Sequence, residues 1–530
     1  MKIRSLRHAV AQMVMPRIEG KLLSDSSYRG DRAKLAEEGI GGFILFGGDI
    51  ESVPRHLAEL QSRAEVPLLV SSDVERGLGQ QLDGGTRFPS QRAVASAIKR
   101  GSSKDTALLR AMLDAVRTET RGVGIHVVFS PVMDVNNNPD NPIICTRSFG
   151  EDPETVEWFG RQYIRGLQQR RPDGKHDLLA CAKHFPGHGD TDQDSHSVLP
   201  VIRADRSRLN RVELPPFREA VKDGVGMVMI AHLLVPALDP VKPVTFSKKV
   251  VTALLREGME FGGIIISDAL DMGALAREYP QDEIAIRAVE AGMDILLHPI
   301  DARTTIDAVV KAVETGRLTE QRIRESVDRI MAAKKELGLF DTPLHSPLQR
   351  GEIKGGRATK VDYESHRALA QELGRKALTV VSGDRKRLPL DTGKGVVCFV
   401  LDDDNQGMGG PFTQELIKRF GAVTSTTLTP DVSTADLSSH LDLSGADAVV
   451  IVIFSRIAAS KGRSGISPAL RDAAFEVLRR AKAAGKRSAI ISFDSPYILG
   501  QFRDADLLIA GYDRMDAIQE AAAEMLGSKG

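Results

Sequence analysis

Lys183-His184-Phe185-Pro186-Gly187-His188-Gly189-Asp190-Thr191-Asp192-Gln193-Asp194-Ser195-His196 gathers three histidines and three aspartates into fourteen residues laced with glycine and proline. Such a stretch cannot continue a packed helix or strand past its first two residues. It reads as a loop at a strand end, where rigid scaffolds carry function. Two chemistries fit it. Imidazole and carboxylate at this density could ligate zinc or iron, the basis of a metal-dependent hydrolase. Alternatively, Asp194 and His196 form a dyad: two residues apart in an extended loop they point the same way, and the carboxylate holds the imidazole in one tautomer and favours its protonated form. A histidine so held can give and take back a proton near neutral pH. His188 and Asp190 read as loop architecture or as contacts behind the reacting groups.

Three further segments follow apolar runs with polar side chains. Gly263-Ile264-Ile265-Ile266-Ser267-Asp268 ends a buried strand in a carboxylate, although Asp268 could equally cap the helix that follows. Val70-Ser71-Ser72-Asp73-Val74-Glu75 repeats the pattern of strand then acid. The run from Pro131 through Asp134 to Pro142 is rich in Asn and Pro, which favours tight turns, and it leads to Arg147-Ser148-Phe149-Gly150. His232 and His298 also close apolar runs. The first could touch a substrate, and the second reads as structural.

These side chains need a frame that brings them together. Eight short apolar runs occur in the first 300 or so residues: Ala11–Met15, Gly42–Phe46, Pro67–Ser71, His126–Ser130, Leu178–Ala182, Met227–Ala231, Gly263–Ser267 and Asp294–Leu297. Between most of them lies helical periodicity, as in Ala107–Arg121, Val156–Gln169, Arg208–Lys222 and Ile284–Ala291. Alternating strands and helices imply a parallel α/β sheet, and eight units are the number for a closed (β/α)8 TIM-like barrel. An open doubly wound sheet shares the local pattern. The barrel is preferred because nearly every run ends in a chemically useful side chain, and only a barrel converges those ends on one mouth.

Periodicity stops after Phe340, and residues 341–362, rich in Pro, Gly and charge, read as a linker. A second α/β series follows over 363–530: a helix at Tyr363–Lys376, strands at Val396–Leu401, Ala446–Phe454, Ser488–Phe493 and Asp506–Ala510, and helices Thr413–Phe420, Pro468–Ala484 and Asp516–Leu526. The expected organisation is a barrel over 1–340 and a smaller α/β sandwich domain over 363–530. Asp402-Asp403-Asp404, after a strand of that domain, reads as a solvated acidic turn.

Composition narrows the partners. The chain of 530 residues carries 71 Lys+Arg and 71 Asp+Glu, without the basic footprint of a nucleic-acid binder. No stretch approaches the ~20 apolar residues of a membrane span. The first twenty residues, broken by Arg4, Arg7, His8, Pro16 and Arg17, lack the apolar region of a secretory signal. Three widely spaced cysteines form no disulfide framework. A reduced, soluble cytoplasmic protein is expected.

Together the four motif segments resemble glycoside hydrolase family 3, more narrowly its bacterial β-N-acetylglucosaminidase branch. The likeness rests on Lys183 to Thr191 with Asp194-Ser195-His196, on Ser267-Asp268, and on Pro131-Val132-Met133-Asp134-Val135 running through Asn141-Pro142-Ile143-Ile144 to Arg147-Ser148-Phe149-Gly150-Glu151-Asp152-Pro153, and it covers about residues 10–340 in order. It implies a retaining exo-β-N-acetylglucosaminidase acting on a carbohydrate, with no cofactor or metal. Asp268 would be the nucleophile, His196 the acid/base and Asp194 its orienting partner. Asp73, Arg147, Lys183, His184 and His232 would hold the sugar. A cytoplasmic member would process peptidoglycan fragments. Gln81 stands where the family carries an arginine, which leaves open a β-glucosidase or a phosphorylase of the same family. With aromatics at 5%, hydrogen bonds must dominate sugar recognition.

Overall fold

The computed structural model describes residues 3–341, 361–383, 390, 393–432, 442–458 and 461–527, so most of the expected linker lies outside the described residues. The chain forms two compact units. The first comprises Met1–Arg87, Arg110–Asn137 and Gly150–Arg367, and the second Phe88–Leu109, Asn138–Phe149 and Ala368–Gly530. Two short segments of the expected barrel sequence therefore group with the C-terminal residues.

The first unit is built on short parallel strands: β1 (Val14–Met15), β2 (Arg17–Glu19), β3 (Gly42–Phe46), β4 (Leu69–Ser72), β5 (Val127–Val128), β6 (Leu179–Phe185), β7 (Met227–Ile230), β8 (Ile264–Ser267) and β9 (Leu296–Leu297). From β2 to β8 they pair in chain order. Pro16 separates β1 from β2 because it has no N–H for the ladder, yet its carbonyl still accepts from Ile44 N at 3.0 Å. Val14 pairs with Leu296, and Ile266 bridges to Ile295, which joins β8 to β9 and β9 to β1. The ring thus closes with eight strand positions, and its C-terminal ends share one mouth.

Local sequence accounts for the parts. Runs such as Ile264-Ile265-Ile266 are buried throughout, as strands covered on both faces must be. The outer helices start on side-chain caps: Asp152 accepts from Thr155 N at 2.8 Å and Asp205 from Arg208 N at 2.7 Å. The helix expected over Arg208–Lys222 is instead two, Arg206–Arg211 and Pro215–Lys222. Pro215 and Pro216 cannot donate into a continuing helix but suit the first turn of a new one.

The second unit carries a six-stranded sheet: β10 (Thr379–Ser382), β11 (Gly395–Asp402), β12 (Ala422–Leu428), β13 (Ala446–Phe454), β14 (Arg487–Ser492) and β15 (Leu507–Ala510). Their order is β10-β15-β14-β13-β11-β12, parallel except for β10 against β15. Alternate residues Cys398, Val400, Val450, Val452 and Ile491 share one core with Phe412, Leu416, Ile518 and Leu526 of the covering helices. Asp403 and Asp404, expected in a solvated turn, are instead held in an ion-pair network with Lys461, Arg463 and Arg514. The three cysteines are buried thiols. No helix among the described residues is long and apolar enough to cross a membrane.

Candidate active site

At the ring mouth the ends of β4 and β6 meet through Lys183. Its ammonium is almost fully buried and donates to Asp73 Oδ1 at 2.6 Å, with Glu75 Oε1 at 2.7 Å. A buried cation needs paired, hydrogen-bonded partners, and two carboxylates supply them. Asp73 keeps 27% of its side chain exposed while Glu75 keeps 5%. Asp73 is thus the acid of this trio that faces outward. Glu75 was not among the expected site residues. Its spacing of two from Asp73 was the available signal.

Lys183 and His184 are neighbours on β6, yet both find polar partners. The register between β6 and β7 shifts between Ala182 and Phe185, which interrupts the regular alternation of faces. His184 Nδ1 donates to Asp134 Oδ2 at 2.7 Å, and the backbone N–H groups of His184 and His188 donate to Oδ1 at 3.2 and 2.7 Å. Asp134, also outside the expected site, is completely buried. Burial alone would raise its pKa, but the charge and hydrogen bond of His184, joined by His188, hold it below the ordinary carboxylate range.

Asp268 follows β8 directly. Its N–H donates to Ile230 O at 3.0 Å, and its Oδ1 accepts from Ala269 N at 2.8 Å. Burial again works to raise the pKa, and the neighbouring His184 charge, the Ala269 N–H and His196 reverse it. The carboxylate therefore stands ionised amid histidines from β6, the loop after it and the segment after β7.

The loop after β6 brings Asp194 and His196 together as expected. His196 Nδ1 lies 2.7 Å from Asp194 Oδ1, which also accepts from His196 N at 2.9 Å. An ionised carboxylate only accepts, so Nδ1 carries the proton and Nε2 remains for exchange. Asp194 is buried, and His196 keeps 37% of its side chain exposed. The loop rests on the turn after β8: Gly273 N donates to His196 O at 3.2 Å and Ala274 N to Ser195 O at 3.3 Å. At its other end Arg208 binds Asp190 at 2.6 Å, so Asp190 serves loop architecture.

His232 departs from its expected place against a sugar. It is wholly buried, with Nε2 2.9 Å from Ala269 O and Nδ1 2.7 Å from Thr245 Oγ1. Burial depresses its pKa and keeps it neutral, so Nε2–H donates to the carbonyl and Nδ1 accepts the hydroxyl proton. Neither nitrogen is left for a sugar. The ring instead supports the peptide that follows Asp268. Arg147 lies in the second unit, on the turn Cys145–Arg147, and donates to Ile143 O at 3.2 Å. Gln81 donates from Nε2 to Asp73 O at 3.0 Å, bracing the turn that carries Asp73. Among the described residues no three His, Cys, Asp or Glu side chains are arranged to hold a metal ion.

This arrangement offers an ionised carboxylate, a carboxylate-oriented imidazole near enough to lower its pKa, and a buried lysine held by two carboxylates. Residues 5–333 match the glycosyl hydrolase family 3 N-terminal domain. Beta-hexosaminidase A of Pseudoalteromonas piscicida is 31% identical over 396 residues, which are 69% of this chain and 63% of that protein. A beta-N-acetylglucosaminidase/beta-glucosidase of Cellulomonas fimi is 30% identical over 378 residues, 69% of this chain and 64% of its own. The chain thus spans a little under two thirds of the length of these two relatives. The solved structure of a glycoside hydrolase family 3 beta-N-acetylglucosaminidase from Paenibacillus sp. aligns with TM-score 0.81 and 30% identity, over 99% of this chain and 97% of that one. The match to the family domain takes in the whole strand ring and the loops at its mouth, and the chain belongs to glycosyl hydrolase family 3, with a TIM-like barrel followed by an α/β sandwich.

Proposed function

We propose that the protein is a retaining exo-β-N-acetylglucosaminidase. The observation that carries this reading is the 2.7 Å Asp194–His196 pair on a loop seated against the turn that follows Asp268. In the first step Asp268 attacks the anomeric carbon and the bond to the leaving oxygen breaks, while His196 Nε2–H protonates that oxygen. The product is a glycosyl ester on Asp268 and a neutral imidazole. Water then gives its proton back to His196 and attacks the same carbon, so the sugar leaves with its original configuration and Asp268 is regenerated. An Asp268 kept ionised by its surroundings suits attack. Asp73, Lys183 and His184 are read as binding the sugar hydroxyls, with Arg147 added on the family resemblance. His232 is read as supporting the Asp268 turn. The resemblance also supplies the natural substrate, peptidoglycan fragments, for a protein whose cysteine usage and N-terminal residues are read as cytoplasmic.

The test is a pair of variants on aryl N-acetyl-β-glucosaminides. Asp268→Ala is expected to lower turnover on the order of 10⁴-fold or more. His196→Ala is expected to lose about 10²–10³-fold with poor leaving groups and less than about tenfold with activated ones, whose departure needs no proton. Equal loss on both series would remove His196 as the acid. A broader sugar range is favoured by one observation: Gln81 is turned to Asp73 O, so no cation stands at that position. Comparing acetamido and plain glucosides, with and without inorganic phosphate, separates hydrolysis of either sugar from phosphorolysis.

A further inference from the structure

His188 has no part in the steps above, yet it is one of the most confined polar residues of the loop. Its ring is 2% exposed, and Nε2 lies 3.1 Å from the hydroxyl of Ser195. Ser195 is itself 3% exposed and sits in sequence between Asp194 and His196. On its far side Ser195 O and His196 O take the N–H groups of Ala274 and Gly273. The peptide between the two dyad members is therefore gripped from both sides: by the His188 ring on the β6 side, and by two backbone donors on the β8 side.

The β6 side leads back to the centre of the site. His188 N donates to Asp134 Oδ1, and the same carboxylate takes Nδ1–H of His184. Asp134 thus fixes both ends of the 184–188 turn, and the His188 ring extends that fixation to Ser195. Burial, opposed by Asp134 and assisted by His184, brings the His188 pKa down to about 4. The ring is then neutral at pH 7, and a neutral imidazole can face a hydroxyl as donor or acceptor without burying a charge.

We propose that His188 is a positioning residue for His196, acting through the Ser195 hydroxyl and anchored by Asp134. It touches no reacting atom; it sets where the imidazole Nε2 stands when the leaving oxygen needs its proton. The inference rests on the reading of His196 as the acid/base. A ring that only fills space would affect all substrates alike, whereas a ring that aims the acid affects the step that needs the acid.

The experiment measures kcat/KM for a series of aryl N-acetyl-β-glucosaminides of graded leaving-group pKa with wild type, His188→Leu, His188→Gln, Ser195→Ala, His196→Ala and the His188→Leu/His196→Ala pair. His188→Leu and Ser195→Ala are expected to steepen the leaving-group dependence, losing about tenfold or more on the poorest leaving groups and less than about twofold on the best. His188→Gln, whose amide nitrogen reaches the place of Nε2, is expected to recover most of that loss. The double variant is expected to be no slower than His196→Ala alone. Uniform loss across the series, or a fully additive double variant, overturns the proposal. Should His188→Leu fail to fold, Ser195→Ala, which deletes one oxygen, decides alone. If His196→Ala itself lacks a leaving-group dependence, the acid/base reading falls first. If it shows one and Ser195→Ala does not, only the present inference falls.

Discussion

Under the proposed function, the Lys183 cluster is where one side chain sets sugar affinity. Two acids hold one buried ammonium, and only Asp73 faces outward. Glu75→Gln removes one of the two carboxylate charges against Lys183, so the ammonium draws more acceptor strength from Asp73, the carboxylate read as taking a sugar hydroxyl. An increase in KM of about tenfold, near 1.4 kcal/mol, is expected, with kcat within a factor of about two. Steady-state kinetics on one aryl substrate checks it, and a fall in kcat at unchanged KM would move Glu75 from ground-state binding to the reaction step. The sequence made Asp73, Lys183, His184, Asp194, His196 and Asp268 legible because each closes an apolar run or stands in a loop too polar to pack. Glu75 and Asp134 stand in the motif segments but were not assigned to the site, because their importance lies in whom they meet: one completes a buried ion cluster, the other accepts from His184 and His188 across about fifty residues of chain. His232 misled for the opposite reason. A histidine at a strand end looks available until Thr245 and Ala269 are found on its two nitrogens.

Buried parallel strands were legible as elements because they are unbroken apolar runs: Gly42–Phe46 of the ring and Ala446–Phe454 of the second sheet were bounded as they stand. Strands β10 and β12 escaped notice. Ala422–Leu428 is Ala-Val-Thr-Ser-Thr-Thr-Leu, an edge strand exposed along most of its length, so it carries no apolar run. Contacts between loops are not legible at all from pattern, and Gly273 is the clearest case. A Cβ there would stand 2.7 Å from His196 O and 3.3 Å from Ser197 O. Both are backbone atoms of the loop after β6, so neither can rotate away and the loop must lift from the β8 turn. Gly273→Ala is therefore expected to reproduce the His196→Ala pattern: a loss on the order of a hundredfold on poor leaving groups, since displacement of about an ångström suffices. The midpoint of thermal unfolding should change little, because the site begins a helix that tolerates alanine. Normal rates on poor leaving groups would mean that the loop does not need this seat.

Closure of the ring joins residues far apart in the chain, and a buried lysine stands at the join. Lys334, on the helix Glu320–Glu336, is wholly buried and donates to Gln12 Oε1 at 2.7 Å, while Gln12 Nε2 donates to Gly39 O at 2.7 Å. One glutamine thus links the first helix, the approach to β3 and the last helix of the ring. Burial lowers the Lys334 pKa from 10.5 to about 7. Such a shift corresponds to about 5 kcal/mol against the charged form. The unfolded lysine keeps its ordinary value, so between about pH 7 and 10.5 the unfolded chain binds a proton that the folded chain does not. This group therefore makes stability rise with pH across that window, whereas below it both states are protonated and the folded state bears the whole penalty. Lys334→Met removes the buried ammonium and also the donor to Gln12, a loss of about 1 kcal/mol. At pH 6 the first effect dominates and the melting temperature should rise by several degrees. At pH 9 the folded amine is neutral but the unfolded one still carries its proton, so about 2 kcal/mol of the penalty remains and the rise in melting temperature should be clearly smaller. Thermal unfolding at the two pH values measures this decrease. An equal shift at both would mean that Lys334 titrates near its ordinary value, with solvent reaching it through the base of the ring.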